Sequence, residues 1–406
     1  MRYDLIIIGA GAAGLMAAAE AGKLGLKVLI LESQGEAGLK LLITGGGRCN
    51  ATHARVTEKD FHAGCRHTLR HVLKAFSSQD AFSFFQTWGA PLSLQPSGEF
   101  FSADDRARTV RDALLKAVSH YCVEIEYNSR VISIEPDGTS FNVCGEGFRK
   151  MAKNILLTTG GLSYPGTGSK GDGYDLAIKI GHQLIPMHPA LVALVSGNKS
   201  FSTLAGITTP VRLSLWNRKN KVLSLEGAFL FTHQGFSGPA AMEIAGPWLR
   251  AMQQGFAEIR ADFLPPIKGD NIETIIIPGN RRSIKNILTA FLPERLILVL
   301  ADLAQLDPLR PSGELRAEER RALSRVLRAC PLPVADTAGY YKAEVTAGGI
   351  DLKELKGASL ESRLQAGLYF AGEILDVDGR IGGFNLQWAW SSGVSAARAI
   401  AKEMTV

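Results

Sequence analysis

The stretch that decides the fold is DLIIIGAGAAGL, residues 4–15. Its apolar half predicts a buried β-strand, and the G-x-G-x-x-G pattern that follows predicts a tight turn into a helix. Gly9 permits the turn, Gly11 lets the backbone approach a pyrophosphate, and Gly14 lets the helix pack against the strand. The helix start would direct free N–H groups at a phosphate. The stretch therefore predicts the first turn of a dinucleotide-binding unit.

A second apolar stretch, residues 27–31, predicts the neighbouring strand and ends at Glu32. A carboxylate at this place accepts hydrogen bonds from the ribose of an adenosine. Strand, glycine turn, alanine-rich helix, strand and terminal acid occur in the order that such a site requires. The alternative is a structural βαβ unit that binds no ligand.

Length and composition exclude several classes of protein. The 406 residues predict two or three domains, and 46% hydrophobic with 21% charged residues is typical of a globular chain. A net charge of +6 suits an anionic ligand without requiring nucleic acid. The five cysteines are scattered and contain no C-x-x-C, which indicates a reducing compartment and neither a disulfide framework nor a thioredoxin-like redox pair. No metal site is predicted.

The uncharged residues 5–19 resemble a signal-peptide core, but Asp4 precedes them and their glycines already have a use. No stretch elsewhere is long enough to cross a bilayer. We therefore expect a cytoplasmic protein without a membrane span.

A glycine triplet followed by Arg48, Cys49 and Asn50 occupies residues 45–50. Three glycines can present several backbone N–H groups to one anion, Arg48 can pair with a phosphate, and Asn50 can bond polar edges. The alternative is a flexible surface loop. We favour a second contact with the same cofactor.

Two later segments repeat the combination of a buried strand and glycines. Residues 154–161 predict a strand that runs into Thr-Thr-Gly-Gly, with more glycines up to residue 173; structural turns alone are the alternative. Residues 367–379 predict a strand that ends in Gly-Glu, and residues 382–387 precede a closing helix.

The middle of the chain has a different pattern of predicted secondary structure. Residues 66–89 have the apolar spacing of a helix, and from about residue 191 short strands are followed by two amphipathic helices without a phosphate signature. We interpret 191–340 as an inserted substrate or cap domain, and 1–190 with 341–406 as the cofactor-binding domain.

Three glycine-lined segments far apart in the chain favour a flavin over a nicotinamide. An extended FAD needs separate sites for its pyrophosphate, ribityl chain and isoalloxazine, whereas a nicotinamide site can be contained within one Rossmann half. No separate nicotinamide fold is evident in residues 191–340. NADH or NADPH would then bind only transiently, as the electron donor to a tightly bound FAD.

Residues 45–50, 160–182, 232–239 and 368–393 closely resemble the bacterial BaiN/RdsA-type (YhiN-like) flavoproteins, a family of NAD(P)/FAD-dependent oxidoreductases. Thr159-Gly160-Gly161 with residues 171–173 more distantly resembles the flavoprotein subunit of fumarate reductase. The resemblance implies an α/β fold: a discontinuous, glutathione-reductase-like FAD-binding domain of Rossmann type with an inserted β-barrel plus helical domain.

The chain departs from the family at a few positions. It has Thr44 where serine is usual, His53 where asparagine is usual, and Leu-Glu-Ser-Arg at 360–363 in place of Met-Glu-Ser-Lys. Flavoenzymes at large have an aspartate where Glu373 stands, so either Glu373 or Asp376 would bind the ribityl chain.

The family implies FAD contacts at 9–14, Glu32, Arg48, Gly160, Gly372 and Glu373. A further contact is predicted from the place of residues 383–387 just before the closing helix. This turn would offer backbone and side-chain amides to the pyrimidine end of the flavin. The full set of predicted cofactor-binding residues is Gly9, Gly11, Ala12, Ala13, Gly14, Glu32, Ser33, Lys40, Gly46, Gly47, Arg48, Cys49, Asn50, Val131, Thr159, Gly160, Gly161, Gly372, Glu373, Asp376, Gly383, Asn385, Leu386 and Gln387.

The expected reaction is reduction or dehydrogenation of a small to medium apolar compound, such as an unsaturated carbonyl compound, with electrons from NAD(P)H passing through flavin N5. His233 is the first candidate for the proton donor and Tyr164 the second. Cys49 has no partner cysteine and is the weakest candidate for a thiol that acts on the flavin. The alternatives are an RNA-associated, tRNA-modifying flavoprotein and a non-catalytic flavin-binding module. A small-molecule substrate is favoured because no dense basic stretch is present.

Overall fold

The computed structural model describes residues 2–265, 276 and 281–404. Residues 266–275 and 277–280, which belong to the predicted inserted domain, lie outside the described residues. The chain divides into two compact units. The first unit consists of residues 1–188 and 344–406, and the second unit of residues 189–343.

The helices of the described residues are α1 (Ala12–Lys23), α2 (Arg66–Ala75), α3 (Ser78–Thr87), α4 (Ala107–His120), α5 (Asp172–Ile180), α6 (Gly238–Gln253), α7 (Ile284–Leu288), α8 (Glu294–Leu303), α9 (Ala317–Arg328) and α10 (Phe384–Met404). The strands are β1 (Arg2–Ile8), β2 (Val28–Leu31), β3 (Asn50–His53), β4 (Phe61–Ala63), β5 (Leu92–Leu94), β6 (Glu99–Ser102), β7 (Glu124–Glu126), β8 (Val131–Asp137), β9 (Ser140–Gly145), β10 (Phe148–Leu157), β11 (Leu184–Ala190), β12 (Leu194–Ser196), β13 (Thr208–Asn217), β14 (Asn220–Phe231), β15 (Gly235–Ser237), β16 (Glu258–Asp262), β17 (Cys330–Pro331), β18 (Val334–Thr337), β19 (Val345–Ile350), β20 (Leu368–Phe370) and β21 (Val377–Gly379).

The first unit is built on a seven-stranded sheet in the order β7-β2-β1-β10-β9-β8, with β20 also paired to β10. The pairs β7–β2, β2–β1, β1–β10 and β10–β20 are parallel, whereas β8, β9 and the first half of β10 form an antiparallel meander. This arrangement is the predicted Rossmann-type sheet with an antiparallel excursion. The fold-class prediction is confirmed.

Both faces of the parallel strands are buried, which explains the continuous apolar run of β1. Leu5 and Ile7 pack into a core with α1, α4 and α10, while Ile6 and Ile8 pack into a second core with β20. Side chains alternate between the faces of a strand, so a strand covered on both sides needs apolar residues throughout. Gly393 in α10 lets that helix approach α1 closely, since a Cβ there would lie 2.5 Å from Ala13 O.

The second unit is a seven-stranded antiparallel sheet in the order β17-β16-β13-β14-β15-β12-β18, combined with helices. Its two edge strands, β17 and β18, follow each other after two residues, 332 and 333. This short connection brings the two edges of the sheet together, as in the predicted barrel. α6, α8 and α9 contribute to the core of this unit, with Trp248, Leu300 and Leu327 buried.

One sequence prediction of secondary structure is wrong. Residues 66–89 were expected to form one helix, but they form α2 and α3 with a break between them. Ser77 caps α3 by accepting from Asp80 N, and the Asp80 carboxylate accepts from Ser77 N in return. This capping box satisfies amides that a continuous helix would have bonded internally, so the chain starts a new helix at residue 78.

Candidate cofactor site

The glycines of the first turn serve two different purposes, close packing of the backbone and space for a ligand. Gly9 has φ +103°, and a Cβ there would lie 2.7 Å from Thr158 O. A Cβ on Gly14 would lie 2.0 Å from Gly9 O. Gly11 differs, because among the described residues its Cβ would meet only Thr158 O, at 4.0 Å. The fold itself thus requires Gly9 and Gly14, whereas Gly11 leaves open space above the backbone for a ligand.

The start of α1 fits an anion at this open space. In the described part of the chain, no side chain caps the helix at Gly11 and no acidic residue lies in its first turn. The first amides of a helix lack intrahelical partners, and the positive end of the helix dipole adds to their attraction for a negative charge. The turn therefore fits a pyrophosphate held by the backbone around Ala12 and Ala13.

Glu32 lies at the end of β2, beside this turn. Its Oε2 accepts from Ala10 N at 2.7 Å, and its Oε1 accepts from Gln34 N at 2.8 Å and from Ser33 Oγ at 3.2 Å. Ser129 N donates to Glu32 O at 2.8 Å, and Val131 then begins β8. The structure thus brings Glu32, Ser33 and Val131 together near the glycine turn, at the place expected for a ribose and adenine.

The glycine triplet forms the end of a short 3-10 segment. Gly45, Gly46 and Gly47 have φ values of +56°, +67° and +87°. A Cβ on Gly46 would have no described atom within 4 Å, so this backbone also faces open space. Asn50 ties the loop to the C-terminal turn, since its amide oxygen accepts from Gly383 N at 3.1 Å when the amide is oriented to satisfy both of its groups.

Arg48 and Cys49 follow the triplet but differ in environment. The Arg48 guanidinium lies 4.3 Å from the centre of the Phe101 ring and 3.8 Å from Asp105, and half of its side chain is exposed. Cys49 is fully buried, and burial raises the pKa of its thiol to about 12. Since the thiolate is the reactive form, this raised pKa disfavours a nucleophilic role for Cys49 at neutral pH.

At neutral pH a thiol reagent is expected to modify Cys65 at least about 10-fold faster than Cys49 or Cys330. Hydrogen bonding from Thr68 lowers the pKa of Cys65, whereas burial raises the pKa of Cys49 and of Cys330 to about 12. Brief alkylation followed by peptide mass spectrometry measures the three rates, with denatured protein and Cys65→Ser as controls. Equal labelling of Cys49 and Cys65 in the folded protein would contradict the burial.

The second glycine segment lies against the first. Thr158 Oγ1 donates to Gly9 O at 2.8 Å, and Gly160 has φ +74°. The buried Thr159 hydroxyl has no hydrogen-bond partner within residues 2–265, 276 and 281–404. A Cβ on Gly161 would lie 2.9 Å from Glu373 Oε1, so this turn also borders the third segment.

The third segment meets the start of α1. Gly372 has φ +80°, its N donates to Ser392 Oγ at 2.9 Å, and a Cβ on it would lie 2.8 Å from Ala13 Cβ. The structure thus brings all three predicted segments to one region of the first unit. Glycines that are hundreds of residues apart in sequence thus lie close together, next to the open backbone at Gly11.

A polar cluster joins the three segments. Glu373 accepts from Lys40 Nζ at 2.6 Å, from Ser163 Oγ at 2.6 Å and from Thr346 N at 3.0 Å. Lys40 Nζ also donates to Ser163 Oγ, at 2.6 Å. We call these four residues the Lys40–Glu373 cluster. Only about a fifth of the Lys40 and Glu373 side chains is exposed (22% and 21%), so the charges balance each other largely away from solvent.

Ser163 and Thr346 are cluster residues that no sequence pattern predicts. Both are small polar residues, and 183 positions separate them. No motif connects them, because the contact arises only when β19 returns to the first unit. Thr346 Oγ1 accepts from Leu162 N at 2.7 Å and from Ser163 N at 3.0 Å, so it also shapes the second glycine turn.

In the C-terminal turn, the side chains of Asn385 and Gln387 are bonded to the protein itself. Asn385 accepts from Gly379 N at 2.8 Å and donates to Gly379 O at 2.9 Å. Gln387 accepts from Thr52 Oγ1 at 2.6 Å and donates to Phe76 O at 2.9 Å. Since protein partners occupy both side-chain amides, what this turn can offer a flavin is backbone N–H groups at the start of α10, including that of Leu386.

The ribityl contact stays a prediction. Glu373 already has three protein partners, and Asp376 is buried three residues further along the chain. Two further predicted residues are glycines with positive φ. Gly47, at +87°, is the last glycine of the triplet, and Gly383, at +86°, begins the C-terminal turn.

The two candidate proton donors lie in different units. Tyr164 follows Ser163 in the first unit with φ +52°, and burial raises its pKa, with a smaller contribution from the charge of Glu344. His233 lies exposed in the turn between β14 and β15 of the second unit. The catalytic role of each stays a prediction.

A serine, a histidine and a glutamate are also aligned in the first unit. His182 contacts Glu354 Oε2 through Nδ1 at 2.6 Å and Ser362 Oγ through Nε2 at 2.8 Å. Ser362 is fully buried and also accepts from Leu364 N and Gln365 N, each at 3.0 Å. With its hydroxyl enclosed, this group holds the segment around residue 362 in place and does not act as a hydrolytic triad.

The described residues contain neither a metal-ligand cluster nor a membrane-spanning helix. Within them no three or more His, Cys, Asp or Glu side chains are grouped as metal ligands. None of the helices that the structure describes has the length and apolarity needed to cross a membrane.

The family is decided by a match that spans almost the whole chain. Residues 3–399 match the HI0933-like protein Rossmann domain. The chain belongs to this family. The match and the relatives below confirm the resemblance that the motifs indicated, and members of the family are FAD-dependent oxidoreductases.

Two curated relatives cover 98% of this chain and 98% of their own length. The ribosomal RNA dihydrouridine synthase of Escherichia coli (strain K12) is 33% identical over 404 residues. The 3-dehydro-bile acid delta(4,6)-reductase of Clostridium scindens is 32% identical over 403 residues.

Solved structures confirm the fold. The 3-ketosteroid delta1-dehydrogenase of Sterolibacterium denitrificans has a TM-score of 0.54 at 14% identity and covers 99% of this chain and 100% of its own. Mycobacterium smegmatis Sdh1 has a TM-score of 0.52 at 16% identity and covers 100% of this chain and 69% of its own. At these identities the two structures show a shared fold with this chain.

Proposed function

We propose that this protein uses FAD, reduced by NADH or NADPH, to saturate a carbon–carbon double bond that is conjugated to a carbonyl group. The observation that carries the proposal is the convergence of three glycine segments in one region of the first unit, where Gly372 lies against Ala13 and Gly161 against Glu373, next to the open backbone at Gly11. An extended FAD needs several binding segments along its length, whereas a nicotinamide site can be contained within one Rossmann half.

The relatives support the type of acceptor. One relative is named as a delta(4,6)-reductase of a 3-dehydro-bile acid and another as a dihydrouridine synthase. In a 4,6-unsaturated 3-ketone the double bonds are conjugated to the carbonyl, and in uracil the C5–C6 double bond is conjugated to the C4 carbonyl. In both compounds conjugation to the carbonyl makes a carbon of the double bond able to accept a hydride, and a proton on the other carbon of that bond completes the reduction.

The residues of the chain fit definite parts of the cofactor. FAD, when bound, supplies the hydride chemistry. The open backbone at Gly11 and the uncapped start of α1 would hold the pyrophosphate, and Glu32 would hold the ribose. The Lys40–Glu373 cluster would position the ribityl chain, and the first turn of α10 would offer backbone N–H groups to the pyrimidine end. Tyr164 or His233 would supply the proton.

A second candidate substrate is a uridine in ribosomal RNA, and the distribution of charge favours it. Residues 189–343 contain 19 Lys and Arg against 13 Asp and Glu, a surplus of six. The remaining residues contain 26 of each and are neutral. All of the net charge of +6 thus lies in the second unit. A polyanionic partner would be attracted to this unit and not to the first.

Anaerobic spectroscopy of the purified flavoprotein tests the proposed reaction. NADH and NADPH are added separately, and bleaching of the flavin identifies the donor. A 4-en-3-one steroid and a uridine-containing RNA are then added as acceptors. We expect a conjugated acceptor to restore the oxidised spectrum and the matched saturated ketone to have no effect. Bleaching without reoxidation by any conjugated acceptor would contradict the proposed function.

A further inference from the structure

The hairpin between β13 and β14 carries an unbalanced cluster of cations. Residues 213–225 contain Arg218, Lys219 and Lys221 and no acidic residue. The three side chains are exposed at the end of the hairpin, where Arg218 adopts φ +54° in the turn. We call residues 216–221 the hairpin tip.

Other arginines of the second unit are neutralised by acids. Arg212 pairs with Glu226 at 2.6 Å, Arg310 with Glu319 at 2.9 Å and Arg328 with Asp262 at 3.2 Å. The three cations of the hairpin tip form no ion pair with any residue that the structure describes. Three charges of the surplus of six are therefore concentrated, unpaired, on one short turn.

An aromatic ring lies beside these cations. Trp216 is partly exposed at the end of β13, and its Nε1 donates to Ser214 Oγ at 2.9 Å, which fixes the orientation of the indole. The Arg260 guanidinium on the neighbouring strand β16 lies 4.6 Å from the centre of the ring. Trp216 is paired in register with Lys221 across the hairpin. The tip thus combines an oriented indole with three free cations.

We propose that the hairpin tip of the second unit docks RNA, with Arg218, Lys219 and Lys221 on phosphates and Trp216 against an unpaired base. Phosphate contacts from Lys and Arg supply most of the affinity of RNA-binding surfaces, and aromatic rings stack on bases that a loop leaves unpaired. The inference rests on the uridine candidate of the proposed function. A membrane with anionic lipids would also attract such a tip, and that alternative is an outcome of the test.

The test measures binding without turnover. The probe is a fluorescently labelled RNA hairpin with a uridine-containing single-stranded loop, titrated with oxidised FAD-loaded protein at several salt concentrations. One variant combines Arg218→Asn, Lys219→Gln and Lys221→Gln; asparagine tolerates the left-handed turn of Arg218. The control combines Lys23→Gln, Lys74→Gln and Lys116→Gln, which remove three exposed cations from the first unit.

We expect the hairpin-tip variant to bind the RNA about 10- to 100-fold more weakly near 0.1 M salt and to lower the salt slope by about 2 to 3. Trp216→Leu is expected to weaken binding about 10-fold without changing the slope, because stacking involves no counterion release. The control variant is expected to bind like the wild type. All variants should keep flavin reduction and steroid turnover.

Three results would overturn the inference. The first is that the hairpin-tip variant binds RNA as tightly as the wild type. The second is that the control variant loses as much RNA affinity as the hairpin-tip variant. The third is that the tip is needed for binding to phosphatidylglycerol vesicles and not for binding to RNA. Wild-type protein that binds no RNA but reduces the conjugated steroid would refute this inference and leave the proposed reaction standing. Protein that binds RNA through the tip but reduces no acceptor would refute the proposed reaction alone.

Discussion

Gly11→Ala is expected to leave the apoprotein folded while weakening its binding of FAD by at least about 100-fold. The backbone at residue 11 has φ −79°, which alanine adopts freely, and the new methyl group would meet only Thr158 O, at 4.0 Å. The cost to folding is the loss of a better N-cap residue, about 1 kcal/mol at most. The methyl group would occupy the space through which a pyrophosphate approaches the backbone.

Gly14→Ala is the matched variant, and its main effect is expected to be on folding. Its methyl group would lie 2.0 Å from Gly9 O and 2.6 Å from Thr158 Oγ1. Because the first contact is with backbone in the turn itself, the helix would have to move, at a cost of about 3 kcal/mol or more. We expect this variant to lose thermal stability and FAD together.

Thermal unfolding of the apoproteins and fluorescence titration with FAD separate these two effects. The comparison isolates the role of Gly11, since both variants add one methyl group to the same turn. Wild-type FAD affinity in a stable Gly11→Ala protein would show that the pyrophosphate does not approach this turn. The assignment of the first glycine segment would then be wrong.

The parts of the fold that sequence could predict are those whose causes are local. The glycine turn was recognisable because part of its steric requirement is local, namely the positive φ of Gly9 and the close approach of Gly14 to Gly9 O. β1 was recognisable because both faces of a buried parallel strand must be apolar. The break between α2 and α3 was also encoded locally, by Ser77 and Asp80, but the apolar spacing on both sides concealed it. A search for capping boxes would have found it.

The parts of the site that sequence could not predict depend on long-range packing. Lys40 and Glu373 were each named as cofactor residues, yet nothing in the sequence pairs them over 333 positions. The side-chain amide of Gln387 looked available for a flavin, but a contact with the distant backbone of Phe76 occupies it. The charge surplus of the second unit was present in the sequence and was hidden by averaging over the whole chain.

Lys40→Met is expected to destabilise the apoprotein by about 2 to 3 kcal/mol, because it leaves the Glu373 carboxylate without its counter-ion in a mostly buried place. The fifth of each side chain that solvent reaches keeps this below the cost of a fully buried pair. We also expect FAD affinity to fall about 10-fold or more, since the cluster holds together the segments that carry the three glycine turns.

A double-mutant cycle with Glu373→Gln distinguishes pairing from general damage. Glutamine keeps the shape of the side chain and removes the charge, so the double variant should regain part of the stability lost by Lys40→Met. The expected coupling energy is at least about 1 kcal/mol from chemical denaturation of the apoproteins. The more exposed pair of Arg212 and Glu226, also 2.6 Å apart, is the control and should couple more weakly. Strictly additive losses in stability and in FAD affinity would show that Lys40 and Glu373 contribute independently and that no shared cluster aligns the three segments.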